Sequence, residues 1–81
     1  MSPADRELFR EHVLRAVQEP YGERGVRRIR YIERHVRSMG WDESNLGGRS
    51  LKRAVDRALQ YHRKAGRIGY DRVFGWYVRE R

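Results

Sequence analysis

The residues best suited to chemistry in this chain are cations at helical spacing. Between Arg49 and Gly66 stand Arg49, Lys52, Arg53, Arg57, Arg63 and Lys64, six bases against the single acid Asp56, with Gln60 among them. Guanidinium and ammonium groups stay protonated at neutral pH, so this set neither abstracts protons nor attacks carbon; it binds anions. Arginine adds a planar fork of donors that matches phosphate oxygens and the acceptor edge of guanine, and glutamine offers the donor and acceptor of an adenine edge. Arg53, Arg57 and Gln60 therefore suit base edges, whereas Arg49, Lys52 and Lys64 suit phosphates. A second set, Arg27, Arg30, Arg34 and Arg37, falls within an arc of about 80° at ~100° per residue. It reads equally as a second contact for the same partner or as a charged surface.

Other chemistries find few candidates. Without cysteine the chain has no disulfide framework, thiolate zinc site or thiol nucleophile, and the expected location is intracellular: cytoplasm or nucleoid, or a nucleus. His12, His35 and His62 lie at or beside apolar helical faces without acidic partners at metal-ligand spacing. They read as packed or edge histidines, and neither a metal nor another cofactor is expected. A nucleophile elbow, a phosphate-binding glycine loop and a helical His-Glu zinc motif are all missing, and Gly47-Gly48 is too short for a phosphate cradle. No enzyme is expected. Tyr21, Trp41, Tyr61 and Tyr70 carry π faces on which bases could stack, although small domains usually bury such rings.

These cations need a scaffold, and 81 residues supply one domain spanning 1–81, with no internal repeat or low-complexity tract. A hydrophobic fraction of 38% with nine aromatics is enough for a core. No apolar run approaches the ~20 residues needed to cross a bilayer, and no leader with a cleavage site opens the chain, so a soluble protein is expected. The net charge is +8, and arginine provides 17 of the 19 basic residues, which favours a polyanionic partner. Its distribution is uneven: residues 1–25 sum to -1, 26–40 to +4, 41–48 to -2, 49–66 to +5 and 67–81 to +2.

Hydrophobic spacing divides the chain into three helices and a hairpin. Ser2-Pro3-Ala4-Asp5 has the order of a helix start, and Phe9, Val13, Ala16 and Val17 form the buried stripe that follows. Arg6, Glu7, Arg10, Glu11 and Arg15 alternate in sign around it, the pattern of a solvated scaffold helix outside the interface. A second helix is expected from about Val26 to Met39, with Ile29, Ile32, Val36 and Met39 inward. Trp41–Gly48 reads as a loop, and Asn45 and Ser50 compete as N-cap of the third helix, Ser50 being preferred. In that helix Leu51, Ala54, Val55, Ala58, Leu59, His62 and Ala65 share an arc of roughly 140°, opposite the cations. Gly66 closes it. Arg67–Tyr70 and Phe74–Val78 then alternate as strands around a turn at 71–73, with Ile68, Tyr70, Phe74, Trp76 and Val78 expected to pack beneath the helices.

Three helices followed by a β-hairpin, with the most basic face on the third helix, is the element order of a winged helix-turn-helix, an α+β and mainly α fold. The junction Ala54-Val55-Asp56-Arg57-Ala58-Leu59-Gln60-Tyr61-His62-Arg63-Lys64-Ala65-Gly66-Arg67-Ile68 resembles the end of a winged-helix recognition helix entering the first wing strand, and Phe74-Gly75-Trp76-Tyr77-Val78 resembles the returning strand. Among such domains the long second helix, the glycine-containing turn before it and the basic hairpin make the chain most similar, over roughly residues 8 to 79, to the globular domain of linker histones. The resemblance implies a third helix in the major groove and a hairpin along the backbone or near the minor groove. Carried onto this chain, it gives Arg49, Lys52, Arg53, Arg57 and Gln60 as helix contacts and Arg72 as the wing contact; Lys64 joins them from the charge pattern. The expected function is non-catalytic binding of double-stranded DNA by a transcriptional regulator or an architectural factor of nucleoid or chromatin. Two alternatives stay open: a protein-interaction module of the same fold, acting as a homodimer or on another protein, and an RNA-binding domain.

Overall fold

The computed structural model describes residues 2–18, 28–73 and 75–79. Helix α1 spans Pro3–Gln18, α2 Ile29–Ser38 and α3 Leu51–Lys64; strands β1 (Ile68–Asp71) and β2 (Gly75–Val78) follow. This is an α+β, mainly helical arrangement with a C-terminal hairpin, the layout of a winged helix-turn-helix.

Each element starts and stops for a local reason. The Ser2 hydroxyl accepts from the Asp5 amide at 3.2 Å and caps α1, with Pro3 at the first helical position, where no amide hydrogen is needed. The Ser50 hydroxyl likewise accepts from the Arg53 amide at 3.4 Å and caps α3. Asn45 has other work: its side chain and the Asp42 carboxylate accept from backbone amides inside the loop, holding 42–45 as a tight turn. Gly66, at φ +76°, reverses the chain after α3 in the left-handed region that glycine enters without a steric penalty.

The second helix is shorter than its apolar stripe suggests. Arg28 has extended backbone angles (φ -83°, ψ 152°), so the helix begins at Ile29 rather than near Val26, and Met39 is its cap rather than its last turn. Residues 26 and 27 lie outside the described residues. The Arg28 guanidinium donates to the Val73 carbonyl at 2.9 Å and fastens the start of α2 to the tip of the hairpin.

One core joins the three helices and the hairpin. It contains Phe9, Val13, Ala16 and Val17 from α1, Ile32 and Val36 from α2, Leu51, Val55, Ala58 and Leu59 from α3, and Ile68 and Trp76 from the strands. Leu46 is buried as well, a loop residue with no periodic pattern to announce it. In the antiparallel hairpin Tyr70 pairs with Trp76 and Gly69 with Tyr77. Trp76 is buried as expected, but Tyr70 is 47% exposed and rests on the Trp76 ring at 5.0 Å instead of entering the core. The expected packing role of Phe74 falls outside the described residues. A Cβ on Gly69 would come within 2.6 Å of the Tyr77 ring, so this glycine leaves room for an aromatic cover on its outer face.

Two histidines are structural ties. The Trp41 indole donates to Nδ1 of His12 at 2.8 Å while Phe9 meets the same indole edge-on at 5.0 Å, so Trp41 is a packed ring rather than a free stacking platform. His62, buried in α3, donates from Nε2 to the Arg10 carbonyl at 2.7 Å, and its Nδ1 faces an Arg67 guanidinium nitrogen at 3.2 Å. The only tautomer that serves both contacts is neutral, with the proton on Nε2. Burial, followed by the nearby Arg67 and Arg10 charges, holds the His62 pKa below its ordinary value, against the opposing bond to the Arg10 carbonyl.

Candidate nucleic-acid interface

The burial of Leu51, Val55, Leu59 and His62 turns the opposite side of α3 outward. Arg49, Lys52, Arg53, Arg57 and Lys64 are all exposed there, and Gln60 is half-buried among them. At ~100° per residue, Arg53, Gln60 and Lys64 form the crest of the helix, with Arg57 on one flank and Lys52, Asp56 and Arg63 on the other. None of Arg49, Lys52, Arg53, Arg57, Arg63 or Lys64 comes within ion-pair distance of a carboxylate among the described residues. Their charge is therefore directed at solvent rather than spent on internal pairs.

A groove runs along each flank. On the α1 side, Arg49, Arg53 and Arg57 meet Arg6 and Arg10 across a groove of about 1090 Å³ floored by Phe9, Leu46 and Ala58, with no acid lining it among the described residues. The Arg10 guanidinium lies over the Tyr61 ring at 3.8 Å, which stacks this cation in place and covers one face of a ring that the sequence offers for base stacking. The scaffold reading of α1 is thereby altered at two positions. Arg6 and Arg10, four apart, share one face, whereas Glu7 and Glu11 occupy the next. Alternating sign along the sequence becomes segregated sign on the helix surface. The i, i+4 spacing of the two arginines was the available signal.

The other flank has different chemistry. Between the start of α2, α3 and the hairpin lies a cleft of about 700 Å³, with Arg28, Arg30, Lys52 and Arg63 around it. Asp56, Gln60, Ile29, Tyr70 and Trp76 complete the lining. Arg63 belongs to the basic set of α3, whereas Arg28 reaches this cleft by tertiary placement, which the sequence pattern does not announce.

The second ridge divides. Arg30 and Arg34 are exposed, and both lie within 6 Å of the Tyr31 ring, which is 46% exposed. Arg37 is structurally engaged: it donates through two nitrogens to Glu43, each at 3.2 Å, and has Glu33 at 3.7 Å. Glu43 also accepts from the Leu51 amide at 3.1 Å, so one carboxylate ties the end of α2 to the first turn of α3. The Arg37 fork, then the Leu51 amide, hold Glu43 below the usual carboxylate range, and Glu43 in turn raises Arg37. Asp42 is lowered chiefly by the Ser44 hydroxyl. Arg27 lies outside the described residues, as does Tyr21. Arg72 is exposed at the hairpin tip, where the Asp71 carboxylate accepts from the Val73 amide at 2.7 Å and fixes the turn.

Among the described residues no group of three or more histidine or acidic side chains gathers as a metal site, and no helix is long and apolar enough to cross a membrane. No protein-family model matches the chain, and neither a curated protein nor a solved structure matches it.

Proposed function

We propose that this chain is a non-catalytic module that binds double-stranded DNA, as a transcriptional regulator or an architectural factor, by laying the crest of α3 in the major groove. The observation that carries this reading is the basic face of α3, without ion pairs among the described residues and extended by Arg6 and Arg10 of α1 into a groove with no acid among its described lining. At ~1.5 Å per residue α3 is about 21 Å long, and a helix of ~10–12 Å diameter fits a major groove ~12 Å wide. Arg53 and Gln60 on the crest then approach base edges, with Arg57 beside them, while Arg49, Arg6 and Arg10 meet phosphates. Lys52 and Lys64 serve the backbone from the other side, and Arg72 extends the contact at the hairpin tip. The resemblance of the third helix and hairpin to winged-helix domains supports the same docking.

Fluorescence anisotropy with a labelled random duplex, repeated across salt concentrations, tests it. Neutralisation of about five phosphates gives a log-log slope near -4 to -5. Absence of duplex binding at ~150 mM salt would favour a protein-interaction module, and stronger competition by duplex RNA or single strands would favour an RNA role.

A further inference from the structure

The cleft between the start of α2, α3 and the hairpin carries more kinds of group than a phosphate needs. Four cations, Arg28, Arg30, Lys52 and Arg63, surround it, yet Asp56 stands among them. A carboxylate in a bare phosphate site opposes the ligand at close range, because like charges a few ångströms apart repel. Asp56 makes no ion pair with a described residue that would absorb this charge. Besides offsetting the mutual repulsion of these four cations, it can accept hydrogen bonds from a ligand that brings donors. Gln60, on the crest at the edge of the same cleft, adds one donor and one acceptor group. Tyr70, 47% exposed and backed by buried Trp76 at 5.0 Å, gives the cleft an aromatic surface whose position is fixed from behind.

A ligand that uses anion-binding cations, an acceptor-rich edge and an aromatic surface together is a nucleotide. We propose that this cleft receives one nucleotide unit, with its base against Tyr70, its phosphate among Arg28, Arg30, Lys52 and Arg63, and its base edge toward Asp56 and Gln60. Aromatic stacking accepts any base, and the Asp56 carboxylate favours an edge rich in donors, the two hydrogens of an exocyclic amine as in cytosine over the single N3–H of uracil. A volume of about 700 Å³ lies within the ~300–1,000 Å³ range of small-molecule sites. Arg28 stays available although it holds the Val73 carbonyl, since a guanidinium has donors to spare. The α1-side groove has neither an acid nor Tyr70 among its described lining residues and offers cations over an apolar floor. The same nucleotide chemistry comes from two sources, an unpaired base at a strand end or a free mononucleotide. The strand-end source rests on the DNA-binding reading above; the free nucleotide does not.

NMR titration of the full chain separates these cases. The probes are CMP, UMP, inorganic phosphate, a blunt duplex, and the same duplex with a short 3′ cytosine overhang. The cleft assignment expects CMP to shift the Trp76 indole and the Tyr70, Asp56 and Gln60 amides saturably, more tightly than UMP. As a strand-end site, it also expects the overhang duplex to bind about tenfold tighter than the blunt one. Tyr70→Leu, which keeps an apolar cover on Trp76, should weaken CMP about tenfold and remove the overhang preference, whereas Tyr70→Phe retains both. Either CMP binding or the overhang preference alone identifies its source. Phosphate shifting the same signals as tightly as CMP, or silence of Trp76 toward both nucleotide and overhang, would overturn the assignment. Arg53 and Arg57 amides report the duplex reading separately: a blunt duplex that fails to shift them defeats that reading and leaves the CMP arm to decide the cleft.

Discussion

The two flanks of α3 belong to one helix yet offer unlike surfaces. Toward α1 the lining is five arginines over an apolar floor; toward α2 and the hairpin, four cations share a smaller cleft with Asp56, Gln60 and an aromatic pair. Angular position on the helix puts Asp56 on one side and Arg57 on the other, and the rest of the distinction comes from what each flank is packed against. The α1 flank gains Arg6 and Arg10 through the i, i+4 face of a neighbouring helix, and the other flank gains Tyr70 from a strand. A surface of uniform charge suits a uniform polyanion backbone, whereas mixed donors, acceptors and rings suit discrimination.

The largest expected effect breaks this comparison outright if it fails. Arg53→Glu with Arg57→Glu should reduce blunt-duplex affinity by roughly two to three orders of magnitude near 0.1 M salt. Arg30→Glu with Arg63→Glu should cost about tenfold or less, and Arg15→Glu almost nothing. Equal losses from the first two pairs, measured by anisotropy, would erase the difference between the flanks. Next, Arg6→Gln with Arg10→Gln should lower the magnitude of the salt slope by about 2, one per lost phosphate contact. A slope unchanged from the parent chain would return α1 to the role of scaffold.

Smaller effects concern stability. Ser50→Ala removes the cap shared by both flanks and should cost about 1 kcal/mol in denaturant unfolding, with fraying confined to the first turn of α3. Acidification should separate the flanks in time. His62 is held below its ordinary value of 6.5 in the folded state, so the unfolded chain takes the proton first and stability falls as pH drops below 6.5. Above that value this contribution is constant. The lowered carboxylates Asp42 and Glu43 work at lower pH: their contribution persists above the ordinary carboxylate values of 3.8 and 4.5 and is lost as pH falls through their folded pKa values. Hydrogen exchange should therefore show α1 loosening from α3 before the α2–α3 loop opens. Loss of loop protection first, above pH 5, would contradict the assigned tautomer and its bond to Arg10.

Much of the fold was legible because its signals are local. The Ser2 and Ser50 caps, the Phe9-Val13-Ala16-Val17 stripe and the inward arc of α3 follow from side chains a few residues apart. Errors arose where a distant group intervened. Arg28 is extended where the stripe predicts helix, and its guanidinium holds the Val73 carbonyl; Tyr70 stays half exposed and rests on the Trp76 ring. Arg37 looked like one member of a ridge until Glu43, across a loop, claimed its guanidinium. The candidate interface was half readable in the same sense: α3 announced its own cations, but Arg6, Arg10 and Arg28 depend on which neighbours α3 acquires.

The sequence by itself determined the number and type of elements, the inward face of each helix and the sign of the outer face of α3, because periodicity, capping and formal charge are carried by consecutive residues. Only the tertiary structure decided which cations share a groove, which are consumed by carboxylates and which tyrosines remain outside. Those outcomes depend on distances between elements far apart in the chain, and no one-dimensional pattern specifies such distances.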